Sequence, residues 1–215
     1  MTRALAQLLV VLALAGCGGS SDDDAAPAAG SGTCQAVEAR APRADGGATK
    51  PTVLLAPDVT YRLVFSTNCG DFTVTLDQKT APKTSASLVA LAQNGFYDGT
   101  IVHRIVPGFV IQGGDPTGTG TGGPGYQTID VPPPDARYTH GVVAMAKAGA
   151  DPPGAAGSQF FVVTGADVGL PAEYAIVGEV TDGLEVVDLI GELGDPATEQ
   201  PTEPVVVGSV TVSEG

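Results

Sequence analysis

Residues 101–106 read Ile-Val-His-Arg-Ile-Val, an apolar run rich in β-branched residues with two polar side chains, His103 and Arg104, in its middle. Such a run predicts a strand, because branched side chains fit a pleated surface. Pro107-Gly108 turns the chain. A second apolar run starts at Phe109-Val110-Ile111-Gln112, and Gly113-Gly114 ends it. An arginine held between two apolar strands is costly unless its guanidinium reaches a partner, a ligand or water. The fold has to give Arg104 one of these.

The neighbouring segments supply more strands. Residues 61–66 and 72–76 alternate as half-buried strands do, with Tyr61, Leu63 and Phe65, then Phe72, Val74 and Leu76, on one face. Asn68-Cys69-Gly70-Asp71 supplies a hairpin turn between them. A helix follows, with Pro82 in its first turn, Thr80 or Thr84 as its cap and Gly95 as its stop. Leu88, Leu91 and Ala92 share its buried face. Residues 117–134 have no periodicity and read as a long surface loop. Residues 141–146, 159–163, 175–180 and 205–212 read as strands, and residues 184–193 as a second helix with Leu184, Val187 and Ile190 inward. Many strands with two helices far apart in sequence predict a mainly β fold built on an antiparallel barrel.

The stretch from Phe96 onward also carries a motif. It reads Phe-Tyr-Asp-Gly-Thr, then His-Arg-Ile-Val-Pro-Gly-Phe-Val, then Gln-Gly-Gly-Asp, with Gly-Thr-Gly-Gly-Pro-Gly after it. Downstream stand Val143-Ala144-Met145-Ala146, Gly157-Ser158-Gln159-Phe160-Phe161-Val162 and Tyr174-Ala175-Ile176-Val177-Gly178, then Gly183-Leu184-Glu185-Val186-Val187. In order and spacing these blocks resemble the signature of the cyclophilin-type peptidyl-prolyl cis/trans isomerases, over roughly residues 59–213. The resemblance implies an eight-stranded antiparallel barrel whose ends are covered by two helices, acting as a monomer on Xaa-Pro segments of folding proteins. Side chains fill so small a barrel, so substrate must bind on its outer face.

The resemblance also implies roles. Arg104 takes the place of the catalytic arginine, with Gln112 beside it. Phe109, Val110 and Phe161 line the proline pocket. Gln112 and Gln159 offer amides to the substrate backbone and to Arg104. Ala146 and Lys147 lie on the strand that makes backbone contacts, and Leu170 and Tyr174 close the far wall. The chain has no tryptophan; Gly169 stands near the tryptophan that contacts cyclosporin in sensitive members, which implies weak binding of that inhibitor. The reaction needs no cofactor and no metal, because no covalent bond breaks. Rotation about the Xaa-Pro bond faces a barrier of about 18–20 kcal/mol from amide resonance. As the amide twists, the prolyl nitrogen regains its lone pair, and a guanidinium aimed there stabilises the twisted state above either planar one. The alternative is a non-catalytic module that uses the same barrel to hold proline-containing peptides.

Other chemistries fit poorly. Ser158 with His103 or His140 lacks a nucleophile elbow. The glycine-rich run at 113–125 lacks the lysine and following helix of a P-loop and reads as a rim loop. No His or Cys spacing suggests zinc, and Asp22-Asp23-Asp24 reads as a solvated spacer. The formal net charge of −14 repels nucleic acid and anionic lipid headgroups.

The N-terminal quarter is different in kind. Residues 1–16 carry one charge, Arg3, and an apolar run too short to span a bilayer. They end in Leu14-Ala15-Gly16-Cys17, which resembles the lipobox of bacterial lipoproteins and implies a diacylated Cys17 on an exported, membrane-anchored protein. An ordinary secretory signal is the other reading. Residues 17–58 read as a flexible tether, and Val53-Leu54-Leu55 as a short added strand or a packed segment. Cys34 and Cys69 are the two remaining cysteines; they pair in an oxidising compartment or stay as two free thiols.

Overall fold

The computed structural model describes residues 32–215. The expected signal segment, Cys17 and the first part of the expected tether lie outside the described residues. Ten strands and two helices follow one another as β1 Tyr61–Thr67, β2 Gly70–Leu76, α1 Pro82–Gln93, β3 Arg104–Val106, β4 Val110–Gly113, β5 Thr128–Ile129, β6 Val142–Met145, β7 Ala155–Ala156, β8 Phe160–Val163, β9 Ile176–Asp182, α2 Leu184–Gly191 and β10 Val207–Glu214. Eight of the strands form one sheet in the order β10-β1-β2-β9-β6-β8-β4-β3, and β5 pairs with β7 alone. Every pairing is antiparallel. The sheet curls until its two edges meet. Gly99 N–H donates to Val207 O at 2.7 Å, Val207 N–H to Thr100 O at 2.9 Å, and Val102 N–H to Val205 O at 3.0 Å. The β3 strand is therefore shorter than its apolar run predicts, because residues 99–102 serve this seam.

The period-two alternation builds two apolar layers from the same strands. Inward side chains make the barrel core, among them Leu63, Phe65, Phe72, Val74, Ile105, Ile111, Val143, Met145, Phe160 and Val162. Phe65 and Phe72 face each other in register and stack at 4.8 Å. The residues between them in sequence point outward. Val110, Ala144, Phe161 and Val163 form a second, smaller cluster with Tyr138 on the outer face.

Helix α1 packs on β1 and β10, and α2 on β2, β3 and β4. Leu88, Leu91 and Ala92 are buried as expected. In α2, Val187 and Ile190 are fully buried and Leu184 is half-buried against the core. Gly95, at φ 65°, ends α1 in a Schellman turn, with Gly95 N–H on Ala92 O and Phe96 N–H on Leu91 O. Its start differs from expectation. Neither Thr80 nor Thr84 caps it; Thr80 bonds Asp77 instead, and Asp130 reaches across from beside β5 to accept the Thr84 N–H and hydroxyl, both at 2.7 Å.

Residues 34–59 contain no strand and lie against the domain. Cys34 and Cys69 form a disulfide. Gln35 N–H donates to Asn68 O, Arg43 N–H to Pro116 O, Gly46 N–H to Gly123 O and Ala48 N–H to Pro124 O. Arg43 also donates to the carbonyl of Phe96 and lies over its ring. Val53 and Leu54 are exposed, while Leu55 touches the core.

Candidate active site

Strand register sets the site. Arg104 pairs with Gln112, Gln112 with Phe161 and Phe161 with Ala144, so one row crosses β3, β4, β8 and β6 on the outer face. The guanidinium that had to escape the apolar run escapes here. A cavity of about 150 Å³ opens over this row, lined by Arg104, Phe109, Val110, Gln112, Ala146, Lys147, Phe161, Leu170 and Tyr174. Every one of these is a residue singled out by the sequence. The tenth, Gln159, lines a larger adjoining cavity of about 670 Å³, which shares Gln112, Ala146 and Lys147 and is rimmed by Asp45 and the glycine-rich loop.

The pocket floor is aromatic. Phe161 meets Tyr174 edge to face at 5.6 Å, and both rest on Tyr138. The Tyr138 hydroxyl donates to Tyr174 O at 2.8 Å and accepts Tyr174 N–H at 3.0 Å. That fixes the backbone of the far wall. Tyr138 carried no sequence signal, because it stands in a loop without periodicity. Gly169, at φ 62° and exposed, sends no side chain toward the pocket.

The polar groups are arranged differently from expectation. Gln112 does not hold Arg104. Its Nε2 donates to Gln159 Oε1 at 3.1 Å, and Gln159 Nε2 donates to Gly122 O at 2.8 Å. Arg104 instead donates its Nε–H to Glu199 Oε2 at 2.6 Å. Glu199 was invisible to sequence reasoning, since it lies 95 residues away in an irregular loop. Lys147 buries its side chain, pairs with Glu173 at 3.1 Å, donates to Asp151 O and lies over the Tyr174 ring. It is thus a wall of the pocket as well as a backbone position.

Asp115 organises the rim loop. Burial pushes its carboxyl up, but bonds from Thr117 N–H and hydroxyl and from Gly122 and Gly120 N–H outweigh this and hold it below the usual carboxylate range. His103 lies under the same loop with both ring nitrogens buried and unpartnered. Burial lowers its pKa below the usual histidine value, helped by Arg104 and opposed by Asp115. Among the described residues, no three His, Cys, Asp or Glu side chains group as metal ligands would.

Comparison with known proteins decides the family. The profile of the cyclophilin type peptidyl-prolyl cis-trans isomerase/CLD family matches residues 62–212. The chain belongs to the cyclophilin-type peptidyl-prolyl cis-trans isomerases. A probable peptidyl-prolyl cis-trans isomerase A of Mycobacterium leprae is 44% identical over 165 residues, covering 68% of this chain and 89% of that relative. The peptidyl-prolyl cis-trans isomerase A of Mycobacterium tuberculosis strain H37Rv is 40% identical over 180 residues, covering 75% and 97%. A crystal structure of a Cryptosporidium parvum cyclophilin type isomerase superposes with a TM-score of 0.66 at 32% identity, covering 73% of this chain and 99% of that one. The same protein in the presence of the dipeptide Ala-Pro gives 0.65 at 31% identity. In this isomerase the family match spans residues 62–212, and the mainly β, eight-stranded antiparallel architecture with two helices is the family's fold.

Proposed function

We propose that this isomerase rotates Xaa-Pro bonds of exported proteins outside the cytoplasmic membrane, as a monomer held there by an acylated Cys17. One observation carries the catalytic part. Arg104 shares a cavity with Phe109 and Phe161, so a cation and an apolar ring pocket converge on one small volume. A proline ring seated on the phenylalanines brings its nitrogen toward the guanidinium. Arginine stays charged throughout and offers donors in a rigid fork. The donor gains strength as the nitrogen pyramidalises, so it favours the twisted state over both ground states. Removing water from around the amide strengthens that interaction further.

The exported location draws on other features. The Leu14-Ala15-Gly16-Cys17 motif supports acylation, and the Cys34–Cys69 disulfide suits an oxidising compartment. Two acyl chains anchor stably where a single one binds only reversibly. Xaa-Pro isomerisation unaided takes tens to hundreds of seconds, slow enough to limit folding there.

The test pairs two assays. Turnover of an Ala-Pro test peptide by the protein is compared with that of Arg104→Ala; a fall of about 10²–10³-fold is expected for a lost electrostatic donor, and unchanged turnover rejects the role of Arg104. Fatty-acid labelling and membrane fractionation of wild type and Cys17→Ser check the anchor. Wild-type protein that is unlabelled and found in the soluble fraction overturns it.

A further inference from the structure

We infer that Glu199 is a positioning residue for Arg104, which fixes the plane of the guanidinium over the proline pocket. The inference rests on the isomerase reading of that pocket and adds a residue to it. An arginine side chain has four rotatable torsions, so a charge aimed at one nitrogen needs something to stop it turning. Gln112, the neighbour across the strand pair, is occupied by Gln159. The group that holds Arg104 is a carboxylate, 2.6 Å from Nε. A bond at Nε leaves both terminal nitrogens of the fork as donors for the pocket.

The loop is built to deliver that carboxylate. Glu199 is the one non-glycine residue at positive φ among the described residues, at 58°. Side chains other than glycine, asparagine and aspartate rarely adopt this conformation, and where they do the surrounding structure has to impose it. Here it does so from both sides. Glu199 N–H donates to Asp195 O at 2.8 Å, and Glu199 O accepts Ile105 N–H at 2.8 Å, directly beside Arg104 on β3. Asp195 Oδ1 accepts the N–H groups of Ala197 and Thr198, and Asp195 N–H closes the loop on Gln200 O. At the loop's base Gly194 presses on β3: a Cβ there would stand 2.6 Å from Ile105 O. The loop is thus docked on the strand that carries Arg104. A glycine would relax the backbone at 199, yet the position holds a side chain that reaches the guanidinium.

A surface ion pair made only for stability predicts something else. The pair is more than one-third exposed on both sides, and such pairs add little stability. A neighbouring negative charge also weakens the field of Arg104. The arrangement serves orientation, and its loss should appear in the chemical step.

The experiment uses the full chain and an Ala-Pro test peptide, with Glu199→Ala, Glu199→Gly and Glu199→Gln. Ala and Gly are expected to lower kcat about tenfold, the scale of a modest misplacement of a catalytic group, with KM within about twofold. Gln keeps an acceptor for Nε and should retain most of the rate. The Gly variant relieves the left-handed backbone and should melt no lower than wild type, so its lost rate cannot be blamed on unfolding. The Arg104 Nε–H should exchange slowly with solvent in wild type and fast in the Ala variant. On an Arg104→Lys background, which has no Nε fork, Glu199→Ala should cost nothing further. Ala and Gly variants with wild-type kcat would overturn the inference, as would an equal loss on the Lys background. A wild-type chain without turnover would overturn the isomerase reading itself, a different outcome.

Discussion

Gln112 and Gln159, 47 residues apart on β4 and just before β8, are joined side chain to side chain at 3.1 Å. Gln159 is held in turn by Gly122 O at 2.8 Å. The amide of Gln112 is therefore oriented by the rim loop rather than by Arg104. Its Oε1 and its second N–H are left for a peptide backbone. Replacing Gln159 by Leu unlocks Gln112 without touching the proline pocket. The expected result is a rise in KM for an Ala-Pro peptide of about 3–10-fold, the scale of one or two net hydrogen bonds, with a smaller change in kcat. Steady-state kinetics read this directly. A fall confined to kcat would assign Gln112 to the chemical step instead.

Helix α1 tests a different link, from loop to packing. Asp130 is buried and accepts both the Thr84 N–H and its hydroxyl at the helix start, while Thr84 shares a second bond with Thr128. A carboxylate there satisfies an orphan donor and meets the positive end of the helix dipole. Asp130→Ala should cost about 1–2 kcal/mol in urea unfolding, the range for a lost cap. Asp130→Asn keeps an acceptor and should cost less. Equal stability of all three would show that another group satisfies the helix.

Which features the sequence disclosed follows from how local their causes are. Alternation along β1 and β2 was visible because a strand repeats every two residues, whereas in β4, legible only as an apolar run, the same period sends Ile111 inward and Val110 and Gln112 outward. The cavity residues were nameable because they stand in one ordered motif. The cap at Asp130, the Tyr138 prop and the Glu199 clamp were not. Each acts across tens of residues from a loop with no period, and only the closed barrel brings it to its partner. Residues 34–59 were unreadable for the same reason: with few large apolar side chains, they hold on through backbone bonds that composition does not reveal.

The Cys34–Cys69 disulfide ties that segment to the β1–β2 turn with a sequence separation of 35. In the loop-entropy account, a closure of this length contributes about 3–4 kcal/mol. Cys69 is buried, and the bonds Gln35 N–H to Asn68 O and Asn68 Nδ2 to Gln35 O lie beside the bridge. Reductant should lower the melting temperature of wild type by several degrees, about 2–4 °C per kcal/mol at this size. Cys34→Ala should melt low with or without reductant. The proline pocket is untouched by the bridge, so turnover below the melting range should change little.

His103 gives the fold a pH dependence of predictable sign. Its ring nitrogens are buried without partners, and burial lowers its pKa in the folded chain, with Arg104 adding to the effect and Asp115 opposing it. Below about pH 6.5 the unfolded chain takes up a proton that the folded chain resists. The unfolded state then binds more protons, so stability rises with pH in that window. The contribution is whole above about pH 6.5 and is lost as pH falls through that value toward the lowered folded pKa, by up to about 1.4 kcal/mol per pH unit. Asp115 acts in a separate window. Its depressed carboxyl contributes fully above the usual value of about 3.9 and is lost only as pH falls below that. Unfolding free energies of wild type and His103→Leu, measured from about pH 7.5 to about pH 5, isolate the histidine. Wild type should lose stability faster on acidification than the variant. Parallel curves would mean that the folded chain admits a proton to the ring, by moving the loop that Asp115 holds.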